Sequence, residues 1–393
     1  MTIPAFSFAR IPQLYFGPGR LAELPRIASG FGREALLITG AASLRAGGRL
    51  DNVLAGLAQA GMNVHSLVID AEPSTRSIDD TCAALRGRGF QVVIGIGGGS
   101  VIDGAKAISA MLPHANSVHD HLEDVGRNVP HSGVKVPYVA VPTTSGTGGE
   151  MTKNAVLSMV GPEGYKKSLR HDNLIPDAVI VDPELMLTCP PAITAACGMD
   201  AFTQLLEPYL SPIASPLTDA LAWSGLEHAR ENLVPACTGR GGDIGVRAGL
   251  AYASMLSGVA LANAGLGVVH GLASPIGGYF PIPHGVVCGT LVASATEENI
   301  AELRRTGDNP GALVKYARVG TLFGGSADKG EAWNCDALVA GLKEWTGSLG
   351  LPRLGEYGIT AGDIDRIVAK TSNRHNPVKL GPDALGRLIS RRL

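Results

Sequence analysis

Short apolar runs alternate with stretches of helical spacing over the first half of the chain. Runs rich in Val, Ile and Leu predict strands, and the amphipathic stretches between them predict helices. The predicted strands are residues 34–39, 63–69, 91–96, 138–141 and 178–181, and the predicted helices are residues 50–59, 77–87 and 101–111. Because such strands alternate with helices, we predict an α/β domain whose parallel, Rossmann-like sheet is covered on both faces.

The pattern changes near Pro190 and Pro191. From about residue 192 the chain is rich in Ala and Leu at helical spacing, and few runs with a preference for strands remain. This half is predicted to be all-α. Prolines place the boundary between residues 185 and 192, so the predicted domains are 1–188 and 189–393.

Composition excludes several classes of protein. The 393 residues are 45% hydrophobic and 17% charged, which permits a large core and argues against disorder. A net charge of −2 without a basic stripe argues against nucleic acid or an anionic membrane as partner. We see no secretory signal and no uninterrupted apolar stretch of the ~20 residues that span a bilayer. Six scattered cysteines without a CxxC pair indicate reduced thiols, so a cytoplasmic protein is expected.

A glycine-rich turn follows the third predicted strand. Gly97, Gly98, Gly99 and Ser100 lie between that strand and a helix. Glycines let a ligand approach the backbone, and a helix N-terminus offers free N–H groups to a pyrophosphate. Ser100 is the expected N-cap. Taken alone, the turn is equally compatible with a plain strand-to-helix connection.

A second glycine-rich loop follows the strand at 138–141. Its sequence is VPTTSGTGG, and it presents the hydroxyls of Thr143, Thr144 and Thr147. Two such loops at strand ends of one sheet predict a dinucleotide site at the carboxyl edge. No GxGxxG fingerprint occurs near the N-terminus, so this is not the standard Rossmann motif.

The second half carries one carboxylate and two imidazoles suited to a divalent metal. Asp200 and Gln204 are four residues apart and share a helix face, His270 falls in a helical pattern, and His284 follows a Pro-Ile-Pro turn. A metal held by such groups polarises an alcohol or carbonyl oxygen. A single histidine in an apolar segment is, however, more often a hydrogen-bonded core residue.

A further group of histidines lies in the predicted loop 112–137. This group comprises His114, His119, His121 and His131. It is either a metal site or, as is commoner for such loops, a set of solvated side chains.

Six segments together resemble the iron-containing (group III) alcohol dehydrogenases over nearly the whole chain. They are GGGSVIDGAKAIS, VPTTSGTGGEMT, LIPDAVIVDPEL, GMDAFTQLLEPY, GLGVVHGLASPIGG and PHGVVCG, in that order. The resemblance implies a dehydroquinate synthase-like architecture with the cofactor and a divalent metal, usually Fe²⁺, in the cleft between two domains. It implies a homo-oligomer, a dimer or larger. The implied ligands are Asp200, Gln204, His270 and His284, and the residues implied to line NAD or NADP are the two loops, Gly40, Asp103 and Lys166.

The chain departs from the family pattern at two positions. The usual DAxxH motif reads DAFTQ, so Gln204 replaces an imidazole with a weaker oxygen ligand. That change disfavours Fe²⁺ or Zn²⁺ and favours an ion such as Mn²⁺. Ser274 stands where many members have a histidine thought to move the proton, so no proton-transfer residue is assigned and the catalytic residues stay unknown.

Gly40 bears on the choice of cofactor. Members that prefer NAD often have an Asp here, which binds the ribose hydroxyls and repels a 2′-phosphate. Gly40 leaves room for that phosphate, and Ser43 or Arg45 could meet it. We therefore expect tolerance of NADP(H), although Gly40 is also compatible with a simple turn.

The expected activity is NAD(P)-dependent oxidation of a small alcohol, or reduction of a small carbonyl compound, with a metal assisting hydride transfer. Dehydroquinate synthases and glycerol-phosphate dehydrogenases share the layout, but no basic cluster for a substrate phosphate accompanies the ligands. One alternative is a metal-independent, maleylacetate-reductase-like enzyme in which Arg170 and His171 bind a substrate carboxylate. Another is a non-catalytic nucleotide-binding relative.

Overall fold

The computed structural model describes residues 3–45 and 48–393. Met1 and Thr2, which belong to the segment expected to lack a signal, lie outside this range. The strands are β1 (Gln13–Phe16), β2 (Glu34–Thr39), β3 (Asn63–Val68), β4 (Val92–Gly97), β5 (Tyr138–Pro142), β6 (Asn154–Met159), β7 (Tyr165–Arg170) and β8 (Ala178–Val181). The helices of this half are α1 (Leu24–Ser29), α2 (Arg49–Gln59), α3 (Thr75–Leu85) and α4 (Gly99–Met111).

Six strands form one parallel sheet in the order β1-β8-β5-β4-β2-β3. The central strands β4 and β5 are buried throughout, as their apolar sequences predict. Gly97 pairs with Pro142 at their carboxyl ends. The two glycine-rich loops therefore leave the sheet side by side at one edge, and the predicted α/β fold is confirmed.

Sequence periodicity did not predict the hairpin of β6 and β7. These strands pair with each other antiparallel, outside the main sheet. Strand β7 has the sequence YKKSLR, whose side chains are mostly half-buried. Its lysines make ion pairs with Glu72 and Asp124, so the strand lacks the apolar run on which prediction depended. The four-residue strand β1 and the six-residue helix α1 also went unpredicted, because neither is long enough to show a period.

The second half is helical, as predicted. Its helices are α5 (Pro191–Leu210), α6 (Pro216–Cys237), α7 (Ile244–Ala264), α8 (Val268–Tyr279), α9 (His284–Thr306), α10 (Pro310–Gly320), α11 (Glu331–Ser348), α12 (Ile364–Lys370) and α13 (Pro382–Ser390). A continuous apolar core runs from one face of the sheet into this helical half. The numerical domain boundary at residue 188 stays a prediction.

Helix α7 corrects one expectation from the sequence. With 21 residues and a mean hydropathy of 1.4, it is long and apolar enough to cross a membrane, and it is the one such helix in the described residues. We expected no such segment because glycines interrupt the apolar run. However, 67% of its most apolar window is buried inside the protein, where it packs against α5 and α6. It therefore has the surroundings of a core helix.

Candidate functional site

The two glycine-rich loops contact each other at the carboxyl edge of the sheet. The backbone N–H of Thr143 donates to the Gly97 carbonyl at 2.9 Å. A Cβ added at Gly98 or Gly99 would lie 3.4 Å from the side chains of Thr144 or Thr147. Glycine at these positions thus leaves the threonine hydroxyls facing the start of α4, where free N–H groups favour an anion.

The expected N-cap at Ser100 is wrong. Helix α4 begins at Gly99, and Gly98 is its N-cap, in extended conformation and without a side-chain cap. Ser100 therefore lies inside the first turn. The Val101 side chain occupies the space beside Gly97, 2.5 Å from where a Cβ would be, so position 97 requires glycine.

Gly40 adjoins the same edge from strand β2. An added Cβ there would lie 3.7 Å from Val101 Cγ2 and 3.8 Å from Ser43 Oγ. Both are ordinary van der Waals distances, so there is room for a Cβ at this position beside the Ser43 hydroxyl. The structure thus brings Gly40 and Ser43 together next to the first turn of α4.

Buried charges hold the threonine loop on its inner side. Lys106 Nζ donates to the carbonyls of Gly149, Thr152 and Asn154 at 2.6–2.8 Å, and burial lowers the pKa of this amine to about 8. Burial also raises the pKa of Asp103 to about 6, and its carboxyl accepts from the Val156 backbone. Asp103 therefore holds strand β6, and its contact with the cofactor stays a prediction.

Three of the four predicted metal ligands converge in the helical half. Asp200 comes from α5, His270 from the first turn of α8, and His284 is the first residue of α9. Asp200 Oδ1 lies 3.4 Å from His270 Nε2 and 3.7 Å from His284 Nε2. Asp200 is buried, and the side chain of His284 is 25% exposed, so the cluster opens on one side.

Orphaned polar atoms show that this cluster fits a cation. Asp200 Oδ1, His270 Nε2 and His284 Nδ1 are buried without a hydrogen-bond partner among the described residues. Such atoms are rare in folded proteins unless they serve an ion or a ligand. Burial raises the pKa of Asp200, but the adjacent His284 and His270 outweigh burial and hold it below the ordinary value. The carboxylate therefore supplies a buried negative charge.

Glu207 orients His270 and was not predicted. Its Oε2 lies 2.7 Å from His270 Nδ1, and its Oε1 accepts from the Val269 backbone at 2.7 Å. A carboxylate that accepts from one imidazole nitrogen directs the lone pair of the other toward a metal. Glu207 is seven residues, about two helical turns, after Asp200, and this same-face spacing was the available signal.

Cys288 was also missed. Its Sγ lies 3.7 Å from His284 Nε2, and it joins Asp200, His270 and His284 in a group whose ligand atoms all lie within 4.8 Å of one another. Burial raises the pKa of this thiol to about 12. Its position four residues after His284, on the same face of α9, was the only sequence signal.

Gln204 and Ser274 have other partners. Gln204 Nε2 donates to the Thr147 carbonyl at 2.5 Å and to Ser257 Oγ at 3.0 Å. Ser274 Oγ donates to the Lys166 carbonyl at 2.9 Å. Lys166 Nζ in turn binds both carboxylate oxygens of Glu72 at 2.8 Å. These contacts hold the segments around the cluster together. The ligand role of Gln204 and the cofactor role of Lys166 stay predictions.

The histidines of the loop 112–137 form a separate packed group. His131 is 5% exposed, with ring centroids of His114 and His121 at 4.7 and 5.3 Å. Burial lowers the pKa of His131 to about 4, with the other histidines adding to the effect. The expectation of solvated side chains is therefore wrong for His131. Among the described residues this group does not bring three ligand atoms as close together as the Asp200 cluster does.

Arg170 and His171, the candidate carboxylate-binding pair, are engaged elsewhere. Arg170 lies 3.2 Å from Glu123, and His171 Nδ1 accepts from the Asn173 backbone. Arg170 is also four residues along β7 from Lys166, about 13 Å in an extended strand. Nothing in these contacts directs the pair at the Asp200 cluster.

A parallel sheet with two glycine loops at its edge, joined to helices that carry a buried donor cluster, is the arrangement of a metal- and nicotinamide-dependent oxidoreductase. The family described as iron-containing alcohol dehydrogenase matches residues 12–183, and its C-terminal counterpart matches residues 194–389. The chain therefore belongs to the iron-containing alcohol dehydrogenase family.

Individual relatives agree over nearly their full length. The chain is 30% identical to an NADPH-dependent butanol dehydrogenase from Clostridium saccharobutylicum, covering 96% of this chain and 95% of that protein. It is 33% identical to long-chain-alcohol dehydrogenase 1 from Geobacillus thermodenitrificans, covering 92% and 89%. The structure of an iron-containing alcohol dehydrogenase from Thermococcus thioreducens superposes with a TM-score of 0.85 at 26% identity, covering 98% and 99%. The protein is an oxidoreductase that acts on CH–OH groups with NAD(P), as the sequence predicted.

Proposed function

We propose that the protein interconverts a small alcohol and its aldehyde or ketone, with a divalent metal held by Asp200, His270 and His284. The observation that carries this proposal is the orphaned pair Asp200 Oδ1 and His270 Nε2, 3.4 Å apart. A carboxylate oxygen that faces an imidazole nitrogen in a buried place is unfavourable unless a proton or a metal cation lies between them. The proposal includes a homo-oligomer, which the family resemblance implies, and a cytoplasmic location, which the scattered cysteines favour.

When bound, the nicotinamide exchanges hydride with the substrate carbon, and the metal polarises the substrate oxygen. The protein contributes position and charge. The loop that carries Thr143, Thr144 and Thr147 holds the nicotinamide half, and the first turn of α4 receives the pyrophosphate. Glu207 holds the His270 ring in one orientation. The exposed edge of His284 marks the side from which substrate enters.

Metal removal tests this function directly. Purified protein assayed with NADH and NADPH against a panel of aldehydes should lose nearly all turnover after dialysis against a chelator. Adding back one of Fe²⁺, Zn²⁺ or Mn²⁺ should restore it, with about one ion bound per chain by elemental analysis. Undiminished turnover in metal-free protein would show that the enzyme is a metal-independent reductase.

We further propose that the cofactor site accepts NADP(H). Gly40 supports this proposal, because an added Cβ would make only ordinary contacts beside Ser43 Oγ and glycine carries no carboxylate to repel a 2′-phosphate. The name of the Clostridium relative, an NADPH-dependent enzyme, agrees with this reading. Arg45 lies two residues beyond Ser43 and is exposed, so it can add positive charge.

The substitution Gly40→Asp should therefore lower kcat/KM for NADPH by at least tenfold, about 1.4 kcal/mol, because its carboxylate repels the phosphate. The value for NADH should hold or rise. Gly40→Ala is the matched control, since its methyl group has room and carries no charge, and it should leave the NADPH/NADH ratio within about twofold. Equal losses with both cofactors in Gly40→Asp would point to a steric effect and count against the phosphate pocket.

A further inference from the structure

Three distances between donor atoms around Asp200 agree with the spacing of a tetrahedral metal site. At metal–ligand bonds of about 2.0–2.1 Å for N and O and 2.3 Å for S, tetrahedral angles require N···O edges of about 3.3 Å and S···N edges of about 3.6 Å. The observed edges are 3.4 and 3.7 Å from Asp200 Oδ1 to the two imidazoles, and 3.7 Å from Cys288 Sγ to His284 Nε2. The thiol therefore lies at the distance from His284 Nε2 that a fourth ligand would have, and all four donor atoms lie within 4.8 Å of one another.

The amide nitrogen of Gln204 is bound to residues outside the Asp200 cluster. Both described hydrogen bonds of its side chain run from Nε2 to Thr147 O and Ser257 Oγ, which belong to the threonine loop and to α7. These contacts tie the amide to the cofactor side of the cleft. Because the nitrogen makes both bonds, a Gln204 ligand would have to use Oε1 while Nε2 keeps its two acceptors.

Helix geometry explains how Cys288 can take the ligand position expected for Gln204. Asp200 and Gln204 are one turn apart on α5, and His284 and Cys288 are one turn apart on α9. The two helices pack against each other. Each helix can therefore present a pair of side chains at i and i+4 to the same space. On α9 both members of the pair face the cluster, whereas on α5 the second member faces the threonine loop.

We propose that Cys288 Sγ, and not Gln204, is the fourth protein ligand of the metal in this chain. The inference rests on the proposed function, because it assumes that a divalent ion binds at Asp200, His270 and His284. Cys288 is fully buried, and its sulfur contacts His284, His270 and Asp200. A thiolate changes the metal preference expected from the sequence, because soft sulfur favours Zn²⁺, Fe²⁺ or Co²⁺ over the oxygen-preferring Mn²⁺.

Cobalt gives a readout that does not depend on turnover. Full-length protein is stripped of metal, titrated with Co²⁺ and followed by absorbance. Sulfur bound to Co²⁺ produces an intense near-ultraviolet charge-transfer band, which oxygen and nitrogen ligands do not produce. We expect wild type to bind about one Co²⁺ per chain and to show this band.

Substitutions assign the band to one sulfur. Cys288→Ser and Cys288→Ala should abolish the band and weaken Co²⁺ binding by roughly 100-fold. Mutating a group that only orients a ligand already weakens metal binding by roughly 10- to 100-fold, so loss of a ligand should reach the upper end of that range. Gln204→Ala should keep the band and the stoichiometry. Cys335→Ser is the matched control, because Cys335 is equally buried and its thiol donates to the Leu313 carbonyl. It should behave as wild type.

The outcomes separate the two proposals. One Co²⁺ per chain without the band, or a band that survives in both Cys288 variants, overturns the assignment of Cys288 while leaving the metal-dependent function standing. Loss of Co²⁺ binding in Gln204→Ala alone makes Gln204 the ligand. Wild type that binds no Co²⁺ overturns both the ligand assignment and the metal-assisted function. Unfolding curves of the serine and alanine variants check that each is folded.

Discussion

The substitution His270→Ala should lower kcat/KM by at least about 10³-fold while leaving NAD(P)H affinity within about twofold of wild type. A metal that polarises the substrate oxygen is worth several kcal/mol in the transition state, and each 1.36 kcal/mol is a factor of ten in rate. The cofactor loops lie on the α/β half and do not use this imidazole. Turnover, metal content and a fluorescence titration with NADH and NADPH measure the three quantities.

Two further variants make the result specific. His228→Ala removes another histidine of the helical half, one whose Nδ1 bonds to the Ser224 carbonyl within α6, and should leave turnover within about twofold. His270→Gln retains an N–H donor for Glu207 and guards against simple unfolding around a buried carboxylate. If His270→Ala keeps its metal and its turnover, the assignment of the site is wrong.

The substitution Gly148→Ala should destabilise the protein by about 3 kcal/mol or more and weaken cofactor binding. Gly148 has φ of +57°, a conformation that adds about 1–2 kcal/mol for any residue with a Cβ. An added Cβ would also lie 2.5 Å from the backbone nitrogen of Gly258 and from the Ser254 carbonyl oxygen. Because these are backbone atoms of α7, the loop must move away from the helix. Urea unfolding and cofactor titration report the two effects.

Gly61→Ala measures the free-energy cost of a positive φ without a steric clash. Gly61 has φ of +76°, and no atom lies within 4 Å of an added Cβ. This variant should lose only about 1 kcal/mol and bind cofactor normally. Equal losses in the two variants would show that the contact between Gly148 and Gly258 does not hold the threonine loop.

Sequence reasoning succeeded where the chemistry of a residue and its local pattern coincide. Strands β4 and β5 are apolar runs because both of their faces are buried, so the loops that follow them were identified at once. Asp200, His270 and His284 stood out because carboxylates and imidazoles are uncommon in apolar segments. The structure then placed their side chains within one cluster.

What escaped prediction depends on packing between distant segments. A cysteine in a buried helix usually packs like a small apolar residue, so the sequence did not mark Cys288 as a ligand. It joins the cluster because α9 packs on α5 opposite Asp200. Glu207 resembles any acidic residue until α8 brings His270 to it. Ser100 looked like a cap, but helix α4 begins one residue earlier, at Gly99.

Helix α5 gives the two halves of the site a shared support. Asp200 faces the donor cluster, and one turn later Gln204 holds the Thr147 carbonyl of the nucleotide loop. If binding of the ion shifts this helix, it also shifts the loop that carries Thr147. Coupling free energies are reciprocal, so if an ion tightens NAD(P) binding by some factor, NAD(P) must tighten ion binding by the same factor. In that case the enzyme retains its ion most firmly while cofactor is bound.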